Sequence, residues 1–246
     1  MPEPPQDRGA PSFRHVRGER VGNRESRSAF VEFDPDAAGF VLAGGQSRRM
    51  GRDKALLEFC GRPLIACAIL ILESAGLSAS IAGSRAPLDH FAPVVADPAP
   101  DLGPLSGVCS ALASTSARHA VFLSVDLPFM PSSMLRFLLH HARITGRLVT
   151  VPTITGFAQT FPAVIDRAAL PALQAELDAE RYGCFSAFET AAARLGQSIS
   201  SISVEYLSQS GQVAHPHGLP PAYWFLNLNT PADLKHAEAL ARRRIA

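Results

Sequence analysis

The chain has 246 residues with 23 Lys and Arg against 22 Asp and Glu, so net charge is near zero and no block of like charges marks a nucleic-acid surface. The length suits one domain with a sizeable core, and the apolar stretch 64–72, bounded by turn signals, is too short to span a bilayer. Cys60, Cys67, Cys109 and Cys184 are scattered, with no C-x-x-C pair, and read as reduced thiols of a cytoplasmic protein.

Residues 1–36 are polar, rich in Pro, Arg, Glu and Gly, and lack an apolar stretch. That composition speaks against a secretory signal, and the interspersed acids against a transit peptide. A disordered tail is expected, because such a segment cannot bury enough surface to offset its ordering entropy. An artefact of an upstream start codon fits equally well. The folded part is expected over 37–246.

Within it, residues 40–43 predict a strand and 63–75 an apolar helix opened by proline. A weak strand at 80–82 and a short one at 94–96 follow. A helix is predicted over 105–116, behind the Gly103-Pro104 turn, and a strongly apolar strand over 120–125. Next come a helix over 131–141, strands at 148–151 and 161–165, and helices at 168–179 and 184–195. A further strand is predicted over 200–206. Thr230-Pro231-Ala232-Asp233 is a capping box with proline at the first helical position, opening a helix to about residue 244. Alternation of this kind argues for an α/β domain, a mostly parallel sheet with helices on both faces. Ligands of such sheets sit at the carboxyl ends of the strands, near the switch in strand order.

The stretch Val41-Leu42-Ala43-Gly44-Gly45-Gln46-Ser47-Arg48-Arg49-Met50-Gly51-Arg52-Asp53-Lys54 runs from the first strand into a loop rich in glycine and arginine. Gly44 and Gly45 can take backbone angles closed to other residues and let N–H groups approach an anion. Arg48, Arg49, Arg52 and Lys54 add cations over the same few residues. The spacing is neither G-x-x-x-x-G-K-[ST] nor G-x-G-x-x-G, and a solvated basic turn is the bland alternative to a polyphosphate cradle.

Leu-Ala-Gly-Gly-x-Ser-x-Arg-Met-Gly-x-Asp-Lys, followed by Gly61-Arg62-Pro63-Leu64, resembles the signature of nucleotidyltransferases with a Rossmann-like fold. It is most similar to the molybdenum cofactor guanylyltransferases (MobA-type). Asp97, Gly103-Pro104-Leu105-Ser106-Gly107, Asp126-Leu127-Pro128 and Asn227-Leu228-Asn229-Thr230-Pro231 follow in the family's order, so the resemblance covers about residues 38–244.

The resemblance implies transfer of GMP from GTP to the molybdopterin cofactor, with release of pyrophosphate and Mg2+ as the metal. Main-chain groups of Leu42, Ala43, Gly44 and Gly45 would seat the nucleotide, with Gly103 bordering it. Arg49 and Lys54 would hold the phosphates. Asp126 ends the buried 120–125 strand, where a carboxylate is costly unless a cation meets it. The family places its metal-binding aspartate here, and Mg2+ suits one or two carboxylates plus substrate phosphates; capping of the turn after Pro128 is the alternative. Asp97 is implied to contact the nucleotide. A carboxylate there could accept from the two donors of guanine, or it could simply shape the turn before Pro98.

Asn227 and Asn229 alternate on an extended segment and share one face. The resemblance puts them at the border of the acceptor site, helping to complete the metal site, and assigns Arg181 to acceptor binding. Two positions depart from the family. Ala82 stands where relatives carry an asparagine, with Ser84 a candidate substitute, and Tyr182 stands where a second arginine is common. His215 and His217, flanking Pro216, read as surface residues.

Competing readings are a relative using another NTP or acceptor (a sugar phosphate, a corrinoid, or CTP with molybdopterin) and a nucleotide-binding accessory protein without turnover. Proteins of cofactor biosynthesis and molybdoenzyme maturation are the candidate partners. No nucleic acid or membrane is expected.

Overall fold

The computed structural model describes residues 33–44, 53–83, 88–99 and 102–245. The predicted tail falls almost wholly outside these residues, as do Gly45, Arg48, Arg49, Arg52 and Ser84. The described part belongs to the unit Val31–Ala246.

Strand β1 (Ala37–Leu42) owes its central place to apolar residues on both of its faces. Val41 joins one core, while Phe40 and Leu42 join the other. The chain then makes a 3-10 turn (Lys54–Leu56) and a hairpin of β2 (Glu58–Phe59) and β3 (Arg62–Pro63). Cys60 and Gly61 form its two-residue bend at φ 51° and 77°, the positive angles that a tight hairpin needs. Pro63 is therefore extended and the first helix, α1 (Leu64–Ser74), starts one residue later than predicted. Next come β4 (Ser78–Ala82), β5 (Val94–Val95), α2 (Pro104–Ser114) and β6 (His119–Ser124). Then follow α3 (Ser132–Thr145), β7 (Val149–Ile154), β8 (Phe157–Ala158), β9 (Ala163–Asp166), α4 (Leu170–Asp178) and α5 (Cys184–Arg194). The C-terminal part holds β10 (Ser200–Ser203), α6 (Val204–Gln209), α7 (Pro221–Trp224) and α8 (Pro231–Ile245).

The sheet runs β10-β7-β9-β6-β1-β4-β5, with β8 added to β7. Pairings β6–β1, β1–β4, β4–β5 and β7–β10 are parallel, whereas β9 lies antiparallel between β6 and β7. Alternate residues of β6 go to opposite faces: Val121 and Leu123 to one core, Ala120 and Phe122 to the other. Helices α1, α3 and α8 cover the first face, and α2, α4 and α5 the second. Phe40 and Phe122, register partners, stack across the strands with centroids 5.5 Å apart. The expected α/β domain with helices on both faces is what forms.

The predicted strand 200–206 is cut short. Ser203 turns its hydroxyl to the amide of Tyr206 at 3.2 Å, and that cap starts α6. The capping box at Thr230 forms as predicted: Asp233 accepts from the Thr230 amide at 2.7 Å, while the Asp233 amide donates to Thr230 Oγ1 at 3.2 Å.

From β1 the chain moves out through β4 to β5, then returns on the other side of β1 as β6. Strand order therefore switches beside β1, and the segments leaving β1 and β6 diverge from one crevice.

Candidate active site

The crevice depends on close backbone approach. A Cβ at Gly44 would stand 2.4 Å from the carbonyl oxygen of Gly83, and one at Gly107 would stand 3.3 Å from Gly83 Cα. Only glycine at position 44 lets the end of β1 pass the end of β4, with Ala43 N–H donating to Ala82 O at 3.0 Å. Gly103, at φ 82°, makes the bend that delivers Pro104 to the first turn of α2.

Three segments remote in sequence then meet at one ammonium. Asp53 caps the 3-10 turn, accepting from Ala55 N–H at 2.9 Å, and Ala55 is fully buried, so the turn holds Lys54 over the crevice. Lys54 Nζ donates to Asp126 Oδ2 and to Asn229 Oδ1, each at 2.7 Å. Asp126 lies just beyond β6, and its Oδ1 accepts from Ser124 Oγ at 2.5 Å. With its amide nitrogen turned to the carboxylate, Asn227 reaches both Asp126 oxygens at 3.3 Å. Leu228, between the two asparagines, is buried and donates its N–H to Asp126 O at 3.2 Å. Asp233 accepts the Asn229 amide at 2.9 Å, so the α8 cap also fixes this asparagine. Both asparagine side chains thus face the same cluster.

Among the described residues no group of three or more His, Cys, Asp and Glu could hold a metal. The donors present are one carboxylate, a hydroxyl and two amides. That all-oxygen set with a single carboxylate fits Mg2+ shared with substrate phosphates, and it does not fit a zinc cage.

Asp97, just past β5, accepts from Ala99 N–H at 2.9 Å and from the buried Ser106 Oγ at 2.5 Å, both at Oδ1. Its second oxygen has no protein donor among these contacts. Arg181 is engaged elsewhere. Its Nε and Nη2 grip the buried Glu176 at 2.6 and 2.8 Å, and Arg194 adds a contact at 2.8 Å. The hydrogen bond from Arg181 holds Glu176 below the usual carboxylate range. Cys109 and Cys184 are buried free thiols, each pushed up to about 12 by desolvation.

Residues 39–194 match the profile of the MobA-like NTP transferase domain. The chain belongs to that family. It carries a catalytic nucleotidyltransferase domain. A molybdenum cofactor guanylyltransferase of Rhodobacter capsulatus is 33% identical over 219 residues, covering 84% of this chain and 97% of that protein. One from Xanthomonas euvesicatoria is 42% identical over 102 residues, 41% of this chain and 52% of that protein. The crystal structure of molybdopterin-guanine dinucleotide biosynthesis protein A from Archaeoglobus fulgidus shares the fold, with a TM-score of 0.67 at 20% identity, covering 84% of this chain and 99% of that one.

In this NTP transferase domain, sequence reasoning missed Ser124 and Ser106, the hydroxyls that hold the two site aspartates. The one available signal for Ser124 was its place two residues before Asp126, where β6 ends in a turn.

Proposed function

We propose that this protein transfers GMP from GTP to the molybdopterin cofactor, releasing pyrophosphate and forming the guanine dinucleotide cofactor. The observation that carries the reading is Lys54 Nζ, held at 2.7 Å from both Asp126 and Asn229 at the strand-order switch. An ammonium has three donors, and two are committed here, so one remains for a phosphate oxygen. The related guanylyltransferases over most of the chain supply the nucleotide and the acceptor.

The terminal phosphate of the acceptor has a second pKa of about 6 and is largely ionised at neutral pH, so no general base is needed. Its oxygen attacks the α-phosphorus of GTP. A P–O bond forms there as the bond to the bridging α–β oxygen breaks, and pyrophosphate carries away the electron pair. What the protein must do is align two anions and offset charge on the leaving group. Leu42, Ala43, Gly44 and Gly45 would present backbone to the nucleotide, and Arg49 and Lys54 would hold the phosphates; Gly45 and Arg49 lie outside the described residues. Asp97 and Gly103 would border the base, whereas Arg181, committed to Glu176, is left out of the acceptor site. Asp126, with Asn227 and Asn229, would hold Mg2+, which when bound supplies charge neutralisation at the departing pyrophosphate.

A second reading, transfer from another nucleotide, is favoured by Ala82. It is fully buried and offers no polar group where the resemblance expects an amide. The test incubates the full chain with molybdopterin, Mg2+ and each NTP in turn, measuring pyrophosphate and the dinucleotide product. Product with GTP alone is expected. Product with CTP instead would establish the second reading, and nucleotide binding without pyrophosphate would mark an accessory protein.

A further inference from the structure

We infer that Ser124 is the positioning residue that makes Asp126 a one-sided ligand for a divalent cation, a role that rests on the nucleotidyltransfer reading above. Ser124 closes β6 and Asp126 follows two residues on, while the intervening Val125 is buried in the core. β6 ends in a turn closed by Leu127 N–H donating to Ser124 O at 3.3 Å, and across that turn Ser124 Oγ donates to Asp126 Oδ1 at 2.5 Å. A carboxylate has a broad terminal torsion, so nothing intrinsic to Asp126 decides which oxygen faces the crevice. The serine decides it. Its only hydrogen is spent on Oδ1, and Oδ2 is left turned to Lys54 and the Asn229 side. Without this bond the carboxylate is free to rotate, and neither oxygen is held in a fixed direction toward the crevice. Partners of this kind around a ligating carboxylate carry a substantial share of metal affinity, about ten- to a hundredfold.

The experiment uses the full-length protein and Mn2+, a paramagnetic substitute for Mg2+, titrated with GTP present and read by electron paramagnetic resonance. Ser124→Ala is expected to weaken Mn2+ binding about tenfold, with GTP affinity in the absence of metal unchanged. Ser124→Thr keeps the hydroxyl and should restore Mn2+ binding. If Ser124→Ala loses the wild-type melting temperature, Ser124→Cys, which keeps the volume with a poor donor, is read in its place. Wild-type Mn2+ affinity in the folded Ala or Cys variant, or failure of Thr to restore it, would overturn the inference. The two readings fail separately. Weakened Mn2+ binding in Ser124→Ala beside a wild type that transfers no GMP overturns only the proposed reaction. Unchanged Mn2+ binding beside normal GMP transfer overturns only the role of Ser124.

Discussion

The two edges of the sheet treat charge in opposite ways. At the edge where β1 and β6 begin, charged groups are closed onto one another. Arg143 forks onto Asp34 at 2.6 and 2.8 Å, and Arg118 reaches Asp166 at 3.0 Å. Asp166 also caps the turn that follows β9, accepting from Ala168 N–H at 2.9 Å. At the edge where β1 and β6 end, one lysine serves one carboxylate and one amide, and it keeps a donor in reserve. Asn227 and Asn229 stand exposed beside it. Charges paired at the outer surface hold a structure, whereas a lysine shared by a carboxylate and an amide in a crevice, with a donor left over, is available to a ligand. Perturbing the open edge should therefore cost function before stability, and perturbing the closed edge should cost stability alone.

The largest expected effect is at the open edge. Asp126→Ala should reduce pyrophosphate release by about a hundredfold or more, the scale for removing a main electrostatic stabiliser. Its melting temperature should stay close to wild type, because Asp126 sits past the strand and outside the apolar core. Near-wild-type turnover at saturating Mg2+ would break the comparison.

Lys54→Ala comes next. On the proposed role it removes a charged donor to phosphate, so GTP binding measured by calorimetry should weaken about ten- to a hundredfold, and transfer should slow with it. Lys54→Arg should not fully rescue, because a planar fork cannot place three donors around one point as an ammonium does. Unchanged GTP affinity in Lys54→Ala would remove the lysine from the phosphate site.

Arg143→Ala tests the closed edge and should leave turnover alone. Both members of its pair with Asp34 are partly exposed, at 33% and 27%, so the expected loss is small, about 2 °C in melting temperature. The hydrogen bond from Arg143 holds Asp34 below the ordinary value of 3.8. The pair's contribution is therefore complete above that value and is lost as pH falls through the lower folded one. Thermal melts at neutral pH and at pH 3 should show the gap between wild type and Arg143→Ala closing in acid. A gap of constant size would show that the pair does not act through its charge.

Much of this was legible from local patterns. The apolar runs of β1 and β6, the glycines at the end of β1 and the capping box of α8 each declare themselves within a few residues. Antiparallel β9 did not, because an apolar stretch such as Ala163-Val164-Ile165 does not encode direction. The β10–α6 junction was misread because Ser-Ile-Ser-Val alternates like a strand, and only the Ser203 cap reverses it. At the site, Lys54, Asp126 and the asparagines were named from a motif, but their convergence on one ammonium comes from the crossover that places β6 beside β1. Ser124 offered only its place two residues before Asp126, too little to assign a role that lies in one side-chain torsion. The triad of Glu176, Arg181 and Arg194 joins α4 to the end of α5, a contact that no spacing rule predicts.

The smallest effect separates burial from pairing at the closed edge. The His119 ring is 2% exposed, its Nδ1 has no hydrogen-bond partner, and the nearest carboxylate oxygen, on Asp36, stands 3.8 Å away. Burial holds its pKa below the usual 6.5. The Asp166 and Asp36 carboxylates oppose that shift, and the Arg118 and Arg143 guanidiniums support it. The unfolded chain therefore takes up this proton first as pH falls. Stability tied to a neutral His119 is complete above 6.5 and is lost as pH drops below 6.5 through the folded value. His141 and His215 are also held low by burial, His215 to about 4, so the wild-type slope alone does not isolate His119. The difference from His119→Gln does, because glutamine keeps a polar side chain of similar reach but does not titrate. Melting temperatures at pH 7.5 and pH 5.5 should fall further for the wild type than for His119→Gln, with turnover at pH 7.5 the same in both. Parallel declines would mean that the carboxylates of Asp36 and Asp166 compensate the buried charge, and this edge would then be closed at every charged group.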